Sequence, residues 1–330
     1  MNQKTNPVRI KIKVIVLLMV VFVLCSGWGF FSHRMINRLA VFLLPEEMVV
    51  FYKKHIEYIQ EAAVNPDRRR YAVKGEAACH FIDLDHYPDE GIALPRYWEQ
   101  AVEIYSEDSL EVHGVLPWNL ARVYFRLRNA FMARDPGAIL RLSSDLGHYV
   151  GDAQVPLHTT SNYDGQQTGQ HGLHAFWESR LPELNFQDYD FLIGKASYIS
   201  DIHERIWGDI LIAHARVDSV LKIERELFLE TGSTKFSFET KGRITARVVS
   251  ESYARLYHLR LQGMVEIQMR RSIKLVADLW YTAWVDAGQP DLQSLIDYNP
   301  TESELSQRKE EMTRWLEVNF KVREHESLDP

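Results

Sequence analysis

The sequence predicts an all-α protein built as one multi-helix domain. Apolar residues recur at spacings of three and four through most of the chain, and alternating runs of β-branched residues are few. The 330 residues would allow one large domain or two ordinary ones, but no internal repeat and no Pro/Gly/Ser-rich linker divides them. We therefore expect a signal peptide at 1–27, a single helical domain at 28–290, and a C-terminal helix and tail at 291–330.

The first 27 residues have the composition of an export signal. Four basic residues precede an uninterrupted apolar run at 14–24, which small residues then follow. The run is about half of the ~20 residues that a spanning helix needs, so cleavage after Gly27 is favoured over an uncleaved membrane anchor. A lipid anchor on Cys25 is less favoured, because Leu24 is large for the residue before a lipidated cysteine. Cleavage would make Trp28 the first residue of a mature periplasmic or secreted protein.

Proline, capping residues and apolar spacing predict the helices in order along the rest of the chain. Asp135 and Pro136 illustrate the signal, because an aspartate cap followed by a proline in the first turn is a common helix start. The segment 241–287 is compatible with one long helix or with two, and a loose end is expected after the last, charged helix. The predicted helices are 45–59, 117–131, 135–155, 204–229, 241–287 and 303–321.

Charge and cysteine content exclude some functions. The chain has 45 acidic and 38 basic residues, and loss of the four basic residues of the signal would leave a formal charge near −11. This balance provides no general basic surface for nucleic acid. Only Cys79 would remain after cleavage, so an exported chain would rely on its core, on metal ions or on both rather than on internal disulfides. Cys79 itself is expected to be a small buried residue and not a thiolate ligand.

Two histidine–carboxylate pairs within about thirty residues predict a metal site. His148 and Asp152 stand four residues apart in a helical pattern, and so do His174 and Glu178. Side chains four apart lie on one helix face, so each pair can bind one ion. One such pair would be weak support, since surface helices produce it by chance. His158 follows the first pair after a helix-ending proline, and the five residues together offer the compact N and O ligands that zinc requires.

The predicted mature N-terminus would supply further ligands. Trp28 precedes His33 by five residues, and a free terminal amine can chelate a metal ion together with its own carbonyl oxygen. Asp67 and His80 lie further along the chain, separated by about the length of a helix end and a turn. Neither of these two residues would be singled out alone.

Four motifs together resemble one known family. WGFFSH, HFID, HYVGDAQVPLH and HGLHAFWE occur in this order between about residues 28 and 180, and they resemble the zinc-dependent phospholipase C and single-strand-specific zinc nuclease superfamily. The resemblance implies an all-helical domain of the zinc-dependent phospholipase C type around three zinc ions. The implied ligands are Asp67, His80, His148 and Asp152 for the first ion, His158, His174 and Glu178 for the second, and His33 with the amine and carbonyl of Trp28 for the third, with Asp152 bridging the third to the first.

The resemblance also implies two residues that act on the substrate. Asp67 would be a ligand only, or would in addition orient the attacking water. In the nuclease branch an arginine follows this aspartate by three residues and contacts the phosphate, which makes Arg70 a candidate here. The alternative for Arg70 is an ordinary solvated charge within its run of three arginines.

We expect an exported zinc-dependent hydrolase of phosphodiester bonds, most simply a phospholipase C that acts on phospholipid head groups. Glu178, the short segment between His158 and His174 and the missing disulfide cysteines resemble the phospholipases, whereas the Trp28 to His33 spacing resembles the nucleases. The acidic balance also disfavours a polyanionic substrate. A single-strand-specific nuclease or nucleotidase is the alternative, and a non-catalytic zinc-bound envelope module is a second one. Peripheral membrane contact is compatible with this function, and no protein partner is implied.

Overall fold

The computed structural model describes residues 30–241 and 244–323, and these are mostly helical, as the sequence predicts. The predicted signal peptide, Trp28 and residues 324–330 lie outside the described residues. Within the described ranges, none of the helices combines the length and the apolar content needed to cross a bilayer.

The helices and strands are numbered in chain order. The helices of the first half are α1 (Phe30–Ala40), α2 (Glu46–Lys54), α3 (Ile56–Ala62), α4 (Asn65–Arg69), α5 (Trp98–Tyr105), α6 (Glu107–His113), α7 (Leu116–Ala133) and α8 (Pro136–Ala153). Those of the second half are α9 (Leu173–Ala175), α10 (Leu181–Asn185), α11 (Ile202–His214), α12 (Val217–Thr231), α13 (Glu251–Arg260), α14 (Met264–Asp286) and α15 (Glu302–Glu317). The strands are β1 (Phe236–Lys241) and β2 (Ile244–Val249).

Helix α8 lies at the centre of the fold. Asp135 caps it by accepting a hydrogen bond from the backbone N–H of Ala138, as its sequence predicts. Every residue from 142 to 160 is buried, and α1, α7 and α14 all pack against this helix. Trp280 of α14 donates a hydrogen bond to the carbonyl of Ser143 at 3.1 Å. The residues that α8 carries are therefore held within the packed core.

Gly147 and Gly151 of α8 let α1 approach closely. A Cβ atom on Gly147 would lie 1.8 Å from Oδ1 of Asn37, far inside van der Waals contact. The Asn37 amide uses this proximity to donate to the carbonyls of Ser144 at 3.1 Å and Ile59 at 3.3 Å. Because Asn37 is fixed in this way, the turn of α1 that carries His33 lies against the part of α8 that carries His148 and Asp152.

A β-hairpin replaces the start of the helix predicted at 241–287. Strands β1 and β2 pair antiparallel, with Phe238 opposite Arg247, and helix begins only at Glu251. The alternation of apolar and polar residues in FSFETK and ITARVV is a strand pattern that outweighs helical spacing here. The prediction that helix begins near 241 is therefore wrong, and the remainder forms two helices, α13 and α14.

Other predicted helices are interrupted rather than missing. The 45–59 helix breaks at His55 into α2 and α3, and the 204–229 helix breaks at residues 215–216 into α11 and α12. The charged C-terminal helix is present as α15, but it ends at Glu317 rather than near Lys321. A loose end was expected beyond Lys321, whereas Arg323 makes a long-range contact. The backbone N–H of Phe320 donates to the carbonyl of Tyr71 at 2.7 Å, and Arg323 donates to Asp83 at 2.6 Å. These long-range contacts are invisible to local periodicity.

Candidate metal centre

The fold brings together all eight predicted ligands that lie within the described residues. Six separate segments of the chain provide them, and Trp28, the ninth predicted ligand, lies outside the described part of the chain. The eight are His33 on α1, Asp67 on α4, His80 in the 3-10 turn Ala77–His80, His148 and Asp152 on α8, His158 in the 3-10 turn Pro156–Thr159, His174 on α9, and Glu178 in the π-helical turn Phe176–Arg180.

These side chains form three groups whose ligand atoms lie within 4.8 Å of one another. Each group has at least one imidazole and one carboxylate. His148 belongs to two of the groups, and the third adjoins them because Oε1 of Glu178 lies 3.1 Å from Nε2 of His33. The residue types match the N and O donors that zinc and other divalent ions take in proteins. The groups are Asp67, His80 and His148; His33, His148 and Asp152; and His158, His174 and Glu178.

Asp152 presents its two oxygens to different histidines. Its Oδ2 lies 2.9 Å from Nδ1 of His80 and 3.3 Å from Nε2 of His148. Its Oδ1 faces the opposite side, 3.4 Å from Nε2 of His33 and 3.8 Å from Nε2 of His158. A carboxylate with this orientation can bridge two ions, which is the arrangement that the resemblance implies for Asp152.

Glu178 also divides its oxygens between two groups. Oε2 lies 2.8 Å from Nε2 of His174 and 3.3 Å from Nε2 of His158, as expected for ligands of one ion. Oε1 lies 3.1 Å from Nε2 of His33, which the sequence assigned to a different ion. Sequence analysis could not predict this second contact, since it joins residues 145 positions apart.

Backbone and loop contacts orient His174. Its Nδ1 donates to the carbonyl of Tyr163 at 3.0 Å, so Nε2 is left with a lone pair that points toward Glu178. The Asp164 carboxylate accepts from the backbone N–H groups of Gly172 at 3.0 Å and His174 at 3.2 Å, which fixes the start of α9. Sequence analysis missed Tyr163 and Asp164, although their position within the motif-rich segment could have drawn attention to them.

A buried network supports the other side of the centre. Tyr149 donates to Glu76, whose Oε1 also lies 3.0 Å from Nε of Arg69 and 3.8 Å from Nε2 of His80. Arg69 in turn donates to Asp145 at 3.1 Å. Tyr149 directly follows His148, and Glu76 directly precedes the Ala77–His80 turn, so the network holds both histidines in place. Only their nearness in sequence to ligands could have indicated their role.

The pKa values within the centre show how burial and charge compete. Burial lowers the pKa of His148 to about 3 and raises that of Asp152 to about 6. Burial also lowers the pKa of His33, but the hydrogen bond to Glu178 and the charge of Asp152 outweigh it, and the pKa rises to about 9. Protonated histidine therefore neutralises the buried carboxylates only in part. A divalent cation bound among them would neutralise more of their charge.

The donor set fits a metal ion. Oδ1 of Asp152 is fully buried and accepts no hydrogen bond from the described residues. Nδ1 of His148 is also buried and has no hydrogen-bond partner among the described residues. The contacts of Asp152 and Glu178 described above are all with histidines, and an imidazole cannot neutralise a carboxylate without taking up a proton. Buried carboxylates normally pair with a cation or bind a metal, so these residues are suited to hold one.

Cys79, the one cysteine within the described residues, belongs to none of the three groups. Cys79 is buried, and burial raises the pKa of its thiol to about 12. Its Sγ lies 3.4 Å from the carbonyl of Gly75. The expectation that it is a small buried residue therefore agrees with its surroundings.

Gly151 allows His33 to reach the centre, which leads to a prediction. A Cβ atom at this position would lie 2.6 Å from Nδ1 and 2.9 Å from Cε1 of His33. We expect Gly151→Ala to displace the imidazole and to lower zinc content by about one ion per chain, since a site that loses one of its few ligands binds weakly. Zinc per chain measured by plasma emission spectroscopy tests this.

Gly208→Ala is the matched control for that variant. Gly208 also lies within a helix, and a Cβ atom there meets nothing within 4 Å. In both variants alanine should favour the helix by about 1 kcal/mol, so only the contact with His33 distinguishes them. Equal zinc contents in the two variants would contradict the placement of His33 in a metal site.

Known proteins do not identify the chain. No protein-family model matches the sequence, and no curated protein of known function matches it either. The assignment of a function therefore depends on the chemistry of the centre and on the motifs.

Proposed function

We propose that the chain is an exported zinc-dependent hydrolase of phosphodiester bonds, of the phospholipase C type. One observation carries the proposal: five buried histidines and three carboxylates converge, and two of the carboxylates offer each oxygen to a different group. A structural zinc site is usually a closed cage of four ligands. A centre with shared carboxylates is better suited to hold several ions for catalysis.

The residues divide into three ligand sets under this proposal. Clustered zinc ions lower the pKa of a shared water and neutralise the charged oxygens of a phosphodiester. The three sets follow the implied assignment, with Glu178 added beside His33. They are Asp67, His80, His148 and Asp152; His158, His174 and Glu178; and His33, Asp152, Glu178 and Trp28.

Asp67 is the carboxylate most accessible to a substrate. Its side chain is 17% exposed, whereas that of Asp152 is fully buried and that of Glu178 is 5% exposed. Its Oδ1 lies 3.5 Å from Nε2 of His148, at the edge of the centre. This position supports a role for Asp67 in orienting the attacking water in addition to binding metal.

Arg70 is suited to bind a phosphate oxygen. The residue is only 3% exposed, and its Nε and Nη1 donate to no acceptor within the described residues. Burial lowers its pKa, while the charges of Asp67 and Asp152 act in the opposite direction. A buried guanidinium with unused donors beside a metal centre is more consistent with anion binding than with a solvated surface charge.

Two features support a phospholipid as the substrate. Glu178 occupies the position where the nucleases of the superfamily usually have aspartate. In addition, Arg180, two residues further on, pairs with Glu239 of β1 and so joins the hairpin to the segment that carries Glu178. Phe238 on that hairpin is 74% exposed, and an exposed aromatic ring is suited to insert into a lipid surface.

A single-strand-specific nuclease or nucleotidase is the second candidate. The observation that favours it is Arg70, because the arginine three residues after the metal-binding aspartate is a feature of the nuclease branch. The acidic balance of the chain opposes it, although positive metal ions can attract a phosphate locally.

A substrate comparison tests the proposal. We expect zinc-loaded protein to release phosphorylated head group from phosphatidylcholine in mixed micelles faster than it releases nucleotides from single-stranded DNA. The reason is that Glu178 and the exposed hairpin favour a lipid, whereas the acidic surface repels a polyanion. Initial rates at equal phosphodiester concentration provide the measurement.

The Glu178→Gln variant is the control for this comparison, because it keeps the shape of the side chain and removes the charge that the ligand requires. Activity that persists in this variant would come from a contaminant. Faster release of nucleotides by the unmodified protein would favour the nuclease. Hydrolysis of neither substrate would favour the non-catalytic zinc-bound module.

A further inference from the structure

Residues 318–323, which follow α15, form a C-terminal strap that returns to the metal centre. Phe320 donates its backbone N–H to the carbonyl of Tyr71 at 2.7 Å, next to Arg70. Three residues later, Arg323 reaches Asp83, three positions after His80. The strap therefore extends from the segment that follows α4 to the segment that follows the His80 turn. Arg323 and Asp83 are 240 positions apart in sequence.

Arg323 makes the strongest contacts of the strap. Its Nη1 donates to Oδ1 of Asp83 at 2.6 Å, and its Nη2 donates to the carbonyl of Thr160 at 3.2 Å. The guanidinium also lies over the rings of Phe81, at 3.9 Å, and Tyr163, at 4.1 Å. Both a charge-assisted hydrogen bond and a cation–π contact are stabilising, and here one planar group makes them together.

Each partner of Arg323 is close to a predicted ligand along the chain. Phe81 directly follows His80, and Thr160 lies two residues after His158. The carbonyl of Tyr163 accepts the hydrogen bond that orients His174. Arg323 thus contacts the three segments that carry His80, His158 and His174.

The segments that Arg323 joins have no disulfide between them. The Ala77–His80 turn, the Pro156–Thr159 turn and the start of α9 are each short, and in short turns few hydrogen bonds fix the direction of a side chain. Further contacts tie the two turns together, among them the hydrogen bond from Thr160 to Asp85 at 2.8 Å. Arg323 adds a single group that spans Phe81, Thr160 and Tyr163 at once.

We propose that Arg323 is a positioning residue for the metal centre. By joining Asp83 to Thr160 and covering Phe81 and Tyr163, it keeps His80, His158 and His174 at the separations that metal binding requires. The C-terminal strap then helps to position the ligands of the metal centre. This inference rests on the proposed function, since it assumes that the centre holds zinc.

Zinc release from the full-length protein tests the proposal. Zinc-loaded protein is mixed with an excess of a chromophoric chelator, and the rate of release is followed. We expect Arg323→Ala to release zinc about tenfold faster, because loss of groups that orient ligands weakens metal binding by about 10- to 100-fold. Arg323→Lys should release zinc at an intermediate rate, because lysine can still donate to Asp83 but cannot make the planar contacts with two rings.

Two further variants keep the test independent of general stability. Arg314→Ala removes an exposed arginine of α15 and should release zinc as the unmodified protein does. Asp83→Asn removes the charge that Arg323 binds and should speed release as well, with the double variant little worse than Arg323→Ala.

The outcomes are distinct. Release from Arg323→Ala at the unmodified rate would overturn the inference and leave the proposed function intact. Zinc release from Arg323→Lys as fast as from Arg323→Ala would also count against the inference, because a positioning role predicts partial rescue. Unmodified protein that retains no zinc would overturn the proposed function and the inference with it.

Discussion

Replacement of Asp152 by asparagine is expected to reduce phosphodiester turnover by about a thousandfold and to lower zinc content. Asp152 is fully buried, and its two oxygens face different histidines, so its charge would serve two ions. Asparagine keeps the shape but removes the charge and one acceptor. Loss of several kcal/mol of charge stabilisation corresponds to a rate effect of this size. Turnover and zinc per chain should be measured on the same sample.

Asp135→Asn is the matched control for this variant. Asp135 caps the same helix, and asparagine is as good a cap as aspartate. That variant should keep both its zinc and its turnover. Full zinc content in Asp152→Asn would refute the bridging assignment of Asp152.

An added residue ahead of Trp28 is expected to remove the third zinc ion and most of the turnover, while the first two ions stay bound. The group around His33 has few ligands within the described residues, namely His33, His148 and Asp152, with Oε1 of Glu178 close by. His148 also belongs to the first group, so the third ion depends on outside ligands. A free amine at Trp28 would provide one, whereas an amide nitrogen has no usable lone pair.

Mass spectrometry of the exported protein and zinc counting on the extended form test this together. The extended protein should unfold at a temperature close to that of the mature one, because the addition changes none of the described residues. A fully active protein with three zinc ions whose N-terminus is not Trp28 would contradict the prediction.

Local pattern was sufficient for most of the fold and for the two histidine–carboxylate pairs of the candidate metal centre. His148 and Asp152, and His174 and Glu178, lie four residues apart, and this spacing places each pair on one face of a helical segment. Helix starts such as Asp135 and Pro136 depend on capping that is itself local. Asp67 and His80 became candidates only through the resemblance, because nothing in their own surroundings marks them.

The rest could not be predicted because it depends on contacts between distant segments. The second contact of Glu178, with His33, and the contact of Arg323 with Asp83 join residues 145 and 240 positions apart. No periodicity encodes such pairs. The hairpin was missed for another reason: the apolar residues of ITARVV and of the following helix can be fitted to a helical spacing, and the alternation in FSFETK was the stronger signal.

The closure of the centre across long stretches of chain has a consequence for folding kinetics. His33 meets Glu178 only after 145 intervening positions have been brought together, a loop closure that costs on the order of 4 kcal/mol in chain entropy. Contacts of such long range form slowly, because this entropy must be lost before the contact stabilises anything. Local helices such as α8 can form early, but His33 and Glu178 can meet only once α1 has docked. Metal would therefore be acquired late, and a newly made chain would remain open to proteases until then.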